Sequence, residues 1–310
     1  MLIAASIVAS FIPMVVYLFI IWKMDKYEPE PLKFVISHFL WGAFGAIIFA
    51  VLGSSAIEWL LDISFGQNYY PLLMTIITAP VLEEITKGIY FRKSYSDKRM
   101  DNITDGLVYG AAIGLGFGMT ENFFYYITYG DTFSEWFGLV LIRTCFSALM
   151  HCISTGIFGA ILGYLKFSTV KYKRIIITAG ISLAIFIHAV WNIFVSFNST
   201  YIFGFLFLLI LICLFILMFK ISLLLERRIL QTELIDEMPE DIRMIVASDK
   251  RFKEGWIEEP FRKSFIKYST MLAFRKRQLK IYRNDESLME EIKLLREKVI
   301  NLLKSKEKTE

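Results

Sequence analysis

The chain has 310 residues, 55% of them hydrophobic and 21% charged, with a mean hydropathy of +0.51. That apolar excess excludes an ordinary soluble domain and places the protein in the membrane class. A formal net charge of +4 is too small to argue for a nucleic-acid partner, and none is expected.

Taken in chain order, apolar windows of at least about 18–20 residues mark spans. Seven occur, near residues 2–22, 33–53, 70–91, 104–128, 136–165, 174–197 and 201–220. The first lacks a basic n-region and a small-residue cleavage site, so it reads as a retained span rather than a cleaved signal. Three connections carry basic residues: Lys23, Lys26 and Lys33; Arg92, Lys93, Lys98 and Arg99; Lys166, Lys171, Lys173 and Arg174. The other three, around 54–69, 129–135 and 198–200, carry none. The positive-inside rule then puts the basic loops in the cytoplasm, the N-terminus outside and the tail inside. The expected fold is an all-α polytopic helix bundle of about seven spans in the cell membrane, over residues 1–221. A charged, helical cytoplasmic region follows at 222–310. Cys145, Cys152 and Cys213 all fall in apolar spans, so no disulfide framework is implied.

Span three holds the most informative residues, Glu83 and Glu84, inside a run that otherwise reads as membrane-spanning. A carboxylate near the bilayer centre costs about 2.5–3.5 kcal/mol on insertion scales, and two neighbours also repel. Lys87 follows Glu83 by four residues and Glu84 by three, so one ammonium can reach either carboxylate. Pro80 removes the hydrogen bond to the carbonyl of Ile76 and predicts a kink that bares backbone acceptors. Span four repeats glycine every four residues at Gly106, Gly110, Gly114 and Gly118. That ridge lets a neighbouring backbone approach closely. The same span carries Glu121 and Asn122; span five carries Arg143 and His151; span six carries His188 and Asn192. Arg143 and Glu121 both fall in the outer halves of their spans and are expected to pair. His38, near the inner end of span two, is assigned no role.

Each residue alone has a plain structural explanation, whether a buried ion pair or a packed imidazole. Ionisable groups on four consecutive spans together mark an active site or an ion path. At about 1.5 Å of rise per residue, Glu83 lies nearer the cytoplasm than the histidines, and Glu121 lies further out, so convergence requires tilt or kinking. The chemistry that fits is water activation: glutamate as general base, with His or Asn donors for an oxyanion. The same set can hold a divalent metal such as zinc, with Glu84, Glu121, His151 and His188 as candidate ligands, or work with no metal at all. Neither His-Glu-x-x-His nor Gly-x-Ser-x-Gly is present.

The ordered set Glu83-Glu84-x-x-Lys87, Phe117-x-x-x-Glu121-Asn122, His151 and His188-x-x-x-Asn192 resembles the PrsW family of bacterial intramembrane proteases, over roughly residues 70–195. That family is distantly similar to the CAAX-prenyl protease superfamily, in which a glutamate activates water and a His and Asn stabilise the oxyanion. The resemblance implies site-1 cleavage of a membrane-anchored anti-sigma factor or similar single-span substrate, in a stress response. It leaves metal dependence open. In this reading Glu83 is the base, Glu84 orients or ligates, and Lys87 balances charge. Glu121 and His151 complete the water or metal site, and His188 with Asn192 stabilises the oxyanion. Two rivals stand beside it, a non-catalytic membrane scaffold of the same ancestry and a proton-coupled transporter.

The region from Glu226 to Glu310 turns polar, with 20 Lys/Arg and 17 Asp/Glu. Leu288, Ile292, Leu295, Val299 and Leu302 form a heptad-like stripe, read either as an amphipathic helix in a small helical domain or as a homo-oligomer contact. Arg275, Lys276, Arg277, Lys280 and Arg283 lie among apolar residues. They suit either an anionic inner leaflet or a solvated basic face.

Overall fold

A computed structural model describes residues 2–65, 71–97, 99–282 and 284–307. Lys98 and Arg283, which figured in the charge patterns above, and part of the 54–69 connection lie outside them. Every regular element among the described residues is helical. The chain divides into two compact units. The first comprises Met1–Asp25, Glu30–Lys166 and Val170–Phe219; the second comprises Lys26–Pro29, Phe167–Thr169 and Lys220–Glu310.

The first unit begins with α1 (Leu2–Met24), then α2 (Leu32–Leu40) and α3 (Ile47–Phe65), joined by a π-helical turn at Trp41–Ala46. α4 (Pro71–Leu73), a second π turn at Met74–Thr78, α5 (Ala79–Ile89) and α6 (Phe91–Ser96) follow. Next come α7 (Ile103–Tyr129), α8 (Phe133–Ile142), a third π turn at Arg143–Ser147 and α9 (Ala148–Lys166). α10 (Lys173–Ser196) and α11 (Tyr201–Glu233) complete the series, and the division between units falls within α11.

Five helical runs are long and apolar enough to cross a membrane: Leu2–Met24, Leu32–Ser64, Phe133–Lys166, Lys173–Ser196 and Asn198–Glu233. Pro71–Ser96 and α7, expected as spans three and four, are not among these five and carry Glu83, Glu84 and Glu121. Span two was expected to end near residue 53, but α3 runs on to Phe65. Glu58 and Asp62 lower the hydropathy there without interrupting the backbone ladder. Large apolar side chains left exposed, such as Leu52 at 61% and Phe186 at 60%, are what a lipid-facing surface requires.

Local chemistry fixes the central helix. Asn102 and Asp105 form a reciprocal cap at the start of α7: Asp105 N–H donates to Asn102 Oδ1 at 3.0 Å, and Asn102 N–H to Asp105 Oδ2 at 2.9 Å. The glycine ridge faces α9. A Cβ at Gly106, Gly110 or Gly114 would run into the carbonyl oxygens of Gly159, Thr155 and His151 respectively. The two backbones therefore pack in direct contact, and His151 is held against α7.

In the second unit, the end of α11 packs with α12 (Glu240–Val246), a 3₁₀ turn (Asp249–Phe252), α13 (Glu259–Leu279) and α14 (Glu286–Glu307). Leu288, Ile292, Leu295 and Val299 are buried in this unit's own core with Leu230, Leu234, Phe265 and Leu272. The stripe offered above for self-association is thus the inner face of α14. Part of the basic run is paired within this unit. Lys276 and Arg296 both bond Glu237, at 2.7 and 2.8 Å, Lys280 lies 2.7 Å from Glu233, and Arg275 lies 3.0 Å from Glu291.

Candidate active site

The second π turn sets the stage for the glutamates. The Ala79 N–H reaches back five residues to the Met74 carbonyl. In that register the donor missing at Pro80 is the one that would serve Thr75, rather than Ile76 as α-helical spacing predicts. Asn192 Nδ2 on α10 donates to the Thr75 carbonyl at 2.9 Å. Asn192 therefore ties α10 to the turn that leads into α5.

Glu84 is buried and fully engaged. Lys87 Nζ donates to its Oε1 at 2.8 Å, and Ser154 Oγ donates to the same oxygen at 3.2 Å. Thr155 Oγ1 donates to Oε2 at 3.2 Å, and His188 Nδ1 lies 3.0 Å from Oε1. A carboxylate can only accept, so His188 carries a proton on Nδ1, and the neutral ring then keeps a lone pair on Nε2.

A second set gathers around Glu121. Arg143 Nη2 lies 2.8 Å from Glu121 Oε2, and His151 Nε2 lies 2.7 Å from the same oxygen. Arg143 Nε donates to Asn122 Oδ1 at 3.0 Å, and its guanidinium stacks over Tyr125 at 3.5 Å. His151 Nδ1 lies 3.0 Å from Lys87 Nζ. The ammonium must donate there, which leaves the imidazole neutral with its proton directed at Glu121. Lys87 also sits 4.0 Å above the Phe117 ring, a cation–π contact that helps hold a buried charge. Despite the depth differences along the helices, His151 and His188 rings approach edge-on at 4.8 Å.

Glu83 differs from the other carboxylates. Its Oε2 is buried without a hydrogen-bond partner. Lys87 Nζ stands 3.6 Å away and His188 Nε2 3.8 Å away. A carboxylate oxygen and, in the neutral ring, an unprotonated imidazole nitrogen thus face each other across a short gap. Two acceptors so placed call for something electropositive between them, a water proton or a cation. Glu83, His151 and His188 each offer one donor atom, all within 4.8 Å of one another. That set of N and O donors suits a divalent ion such as zinc once Lys87 releases the His151 Nδ1 lone pair. The fit centres on Glu83 because Glu84 spends both oxygens on protein donors and Glu121 gives its Oε2 to Arg143 and His151.

All ten residues singled out in the sequence lie in this part of the first unit. Ser154 and Thr155 were missed. The available signal was their position three and four residues after His151, on one helix face.

A profile of the family described as PrsW family intramembrane metalloprotease matches residues 30–219. The chain is 31% identical over 186 residues to Protease PrsW of Geobacillus kaustophilus, covering 59% of this chain and 76% of that protein. It is 29% identical over 186 residues to Protease PrsW of Oceanobacillus iheyensis, covering 59% and 80%. To Protease PrsW of Bacillus subtilis it is 25% identical over 202 residues, covering 64% and 86%. No solved structure matches.

Proposed function

The chain belongs to the PrsW family of intramembrane metalloproteases, and from that premise we propose that Glu83 activates water to cut a membrane-anchored, single-span protein. The protein is a multi-pass membrane protease; the substrate class proposed is an anti-sigma factor, cleaved at site 1. The observation that carries the reading is the buried Glu83 Oε2, which has no hydrogen-bond partner and stands 3.8 Å from His188 Nε2.

Water seated in that gap donates one hydrogen to Glu83 and the other to the His188 lone pair. As the water oxygen forms its bond to the scissile carbonyl carbon, Glu83 takes the proton and later passes it to the departing amide nitrogen. Glu84 fixes the His188 tautomer by accepting from Nδ1, so His188 orients water rather than donating to an oxyanion. The Asn192 amide, bonded to Thr75, braces the helix pair. Lys87 is the cation nearest Glu83 and offsets the charge that develops. Glu121, clamped by Arg143, holds His151 in the tautomer whose Nδ1 lone pair faces Lys87. A bound divalent ion would be held by Glu83 and His188, with His151 Nδ1 added where Lys87 gives up that lone pair, and would supply Lewis acidity toward water and the carbonyl.

The test uses purified protein in proteoliposomes with a single-span substrate, with and without chelator. Glu83→Gln is expected to lower the rate about 10²–10⁴-fold, the range for a lost general base. If Glu83→Ala and His188→Ala, at matched levels, still cleave the substrate, the assignment is wrong. Inhibition by chelator that zinc reverses supports the metal arm; full activity without metal removes it.

A further inference from the structure

The second unit holds a cavity of its own. A cavity of about 320 Å³ is lined by Lys26, Tyr27, Lys220, Leu224, Arg227 and Asp249 among others. Lys220 and Arg227 stand seven residues apart on α11, so they project from one helix face. Neither has an ion-pair or hydrogen-bond partner among the described residues. Lys26 also lines the cavity, but it is held at the rim by Asp249. Two unpaired cations and one tethered cation around a pocket form a receptor for a compact anion such as a phosphodiester.

The surroundings point to the source of that anion. Lys220 directly follows the apolar run that ends at Phe219, and Lys26 comes two residues after α1 ends at Met24. Between and beside the two free cations, Ile221, Leu224 and Leu225 are 48%, 62% and 43% exposed. Apolar side chains among cations at the end of a membrane span suit the glycerol and upper acyl region of a lipid, and offer nothing to a free phosphate ion. On α13, Lys276 and Lys280 are already paired within their own unit.

We propose that this cavity receives the phosphate headgroup of an anionic glycerophospholipid, with Lys220 and Arg227 as its ligands and Asp249 as a competitor that restrains Lys26. The probe is a fluorescent phosphatidylglycerol titrated against the full-length protein in neutral detergent micelles, with phosphatidylcholine and glycerol phosphate as parallel arms. Phosphatidylglycerol is expected to bind well above phosphatidylcholine. Removing one cation by Lys220→Gln or Arg227→Gln should weaken it about fivefold, and removing both about 30-fold, on the usual worth of a basic residue near an anionic membrane. Asp249→Asn frees Lys26 and should tighten binding, a gain that a misfolded variant cannot produce. Equal binding of the two lipids, or Lys220→Gln/Arg227→Gln protein that binds as wild type, overturns the proposal. So does glycerol phosphate competing as well as the lipid, which would mark a free-phosphate site.

Discussion

The contact between α7 and α9 places His151, and Gly114→Ala perturbs it at one atom. A Cβ there would meet the His151 carbonyl oxygen, with the His151 carbonyl carbon at 2.5 Å and Cys152 Cα at 2.8 Å. Ordinary carbon contacts lie at about 3.5–4.0 Å, so α9 must retreat by about 1 Å. The atoms in the way are backbone and cannot swing aside. Overpacking of this kind costs about 1–3 kcal/mol. The retreat also lengthens the 2.7 Å contact from His151 to Glu121 and the 3.0 Å contact to Lys87. A misplacement of about 1 Å in a catalytic constellation lowers rate about 10²-fold. The assay is the initial cleavage rate in proteoliposomes, beside resistance to SDS unfolding.

Two companion variants separate position from stability. Gly106→Ala makes the same kind of clash against Gly159, two helical turns further from His151, and should lose comparable stability with a smaller fall in rate. Gly138→Ala meets nothing within 4 Å and should gain about 0.5–1 kcal/mol with unchanged rate. If Gly114→Ala keeps wild-type rate, or Gly106→Ala loses as much rate as Gly114→Ala, the reasoning that glycine contact positions His151 fails.

Lys87→Met leaves Glu84 buried beside Glu83 with no cation at 2.8 Å. Breaking a buried pair costs about 3–5 kcal/mol, so the folded fraction in an SDS titration should fall sharply. Ser154→Ala with Thr155→Val strips Glu84 of two donors, each worth about 1.5–3 kcal/mol to a charged acceptor. The expected outcome is a reduced kcat with little change in KM, and an unchanged KM-to-kcat balance would argue for a purely structural role. In the second unit, burial alone would raise the Glu237 carboxyl above its ordinary 4.5, but hydrogen bonds from Arg296 and Lys276 outweigh it and hold the group lower. A depressed carboxyl stabilises above its unfolded value, so the contribution is present above about pH 4.5 and fades as pH falls below it. Hydrogen exchange of α13 and α14 in the full chain should lose protection on acidification, and Glu237→Gln should flatten that dependence.

The all-helical fold was legible because spans and charged loops are properties of composition. The glycine ridge was legible too, since a four-residue repeat has one geometric consequence on a helix. The π turns were not. Pro80 announced a missing donor, but only the five-residue register at Met74–Thr78 decides that Thr75 receives Asn192. Hydropathy likewise ended span two early, because it reads solvent preference and not the hydrogen-bond ladder through Glu58 and Asp62. The partners of Lys276 and Lys280 lie 39 and 47 residues away at Glu237 and Glu233, so pairing within the basic run could not be read from local spacing. Ser154 and Thr155 look unremarkable in mid-helix until Glu84 is set against them.

The polar groups of the site also obey a charge count that no single motif reveals. Three carboxylates, Glu83, Glu84 and Glu121, meet two cations, Lys87 and Arg143. The hydrogen-bond directions leave His151 neutral, and with a neutral His188 as well the network is short by one positive charge, which a proton on His188 Nε2 would restore. Lys87 and Arg143 are committed at 2.8 Å to Glu84 and Glu121 respectively, which assigns the deficit to Glu83. An uncompensated negative charge in a water-poor interior costs several kcal/mol, so the working site must take up a positive species at that point. A proton shared between Glu83 and His188 and a divalent cation both satisfy the count. They part on removal of Lys87: a proton-filled site then carries a larger deficit, whereas a cation gains the His151 Nδ1 lone pair that the ammonium had occupied. Zinc affinity should therefore rise in Lys87→Met, read by equilibrium dialysis, if the gap is a metal site, and stay negligible if it is not.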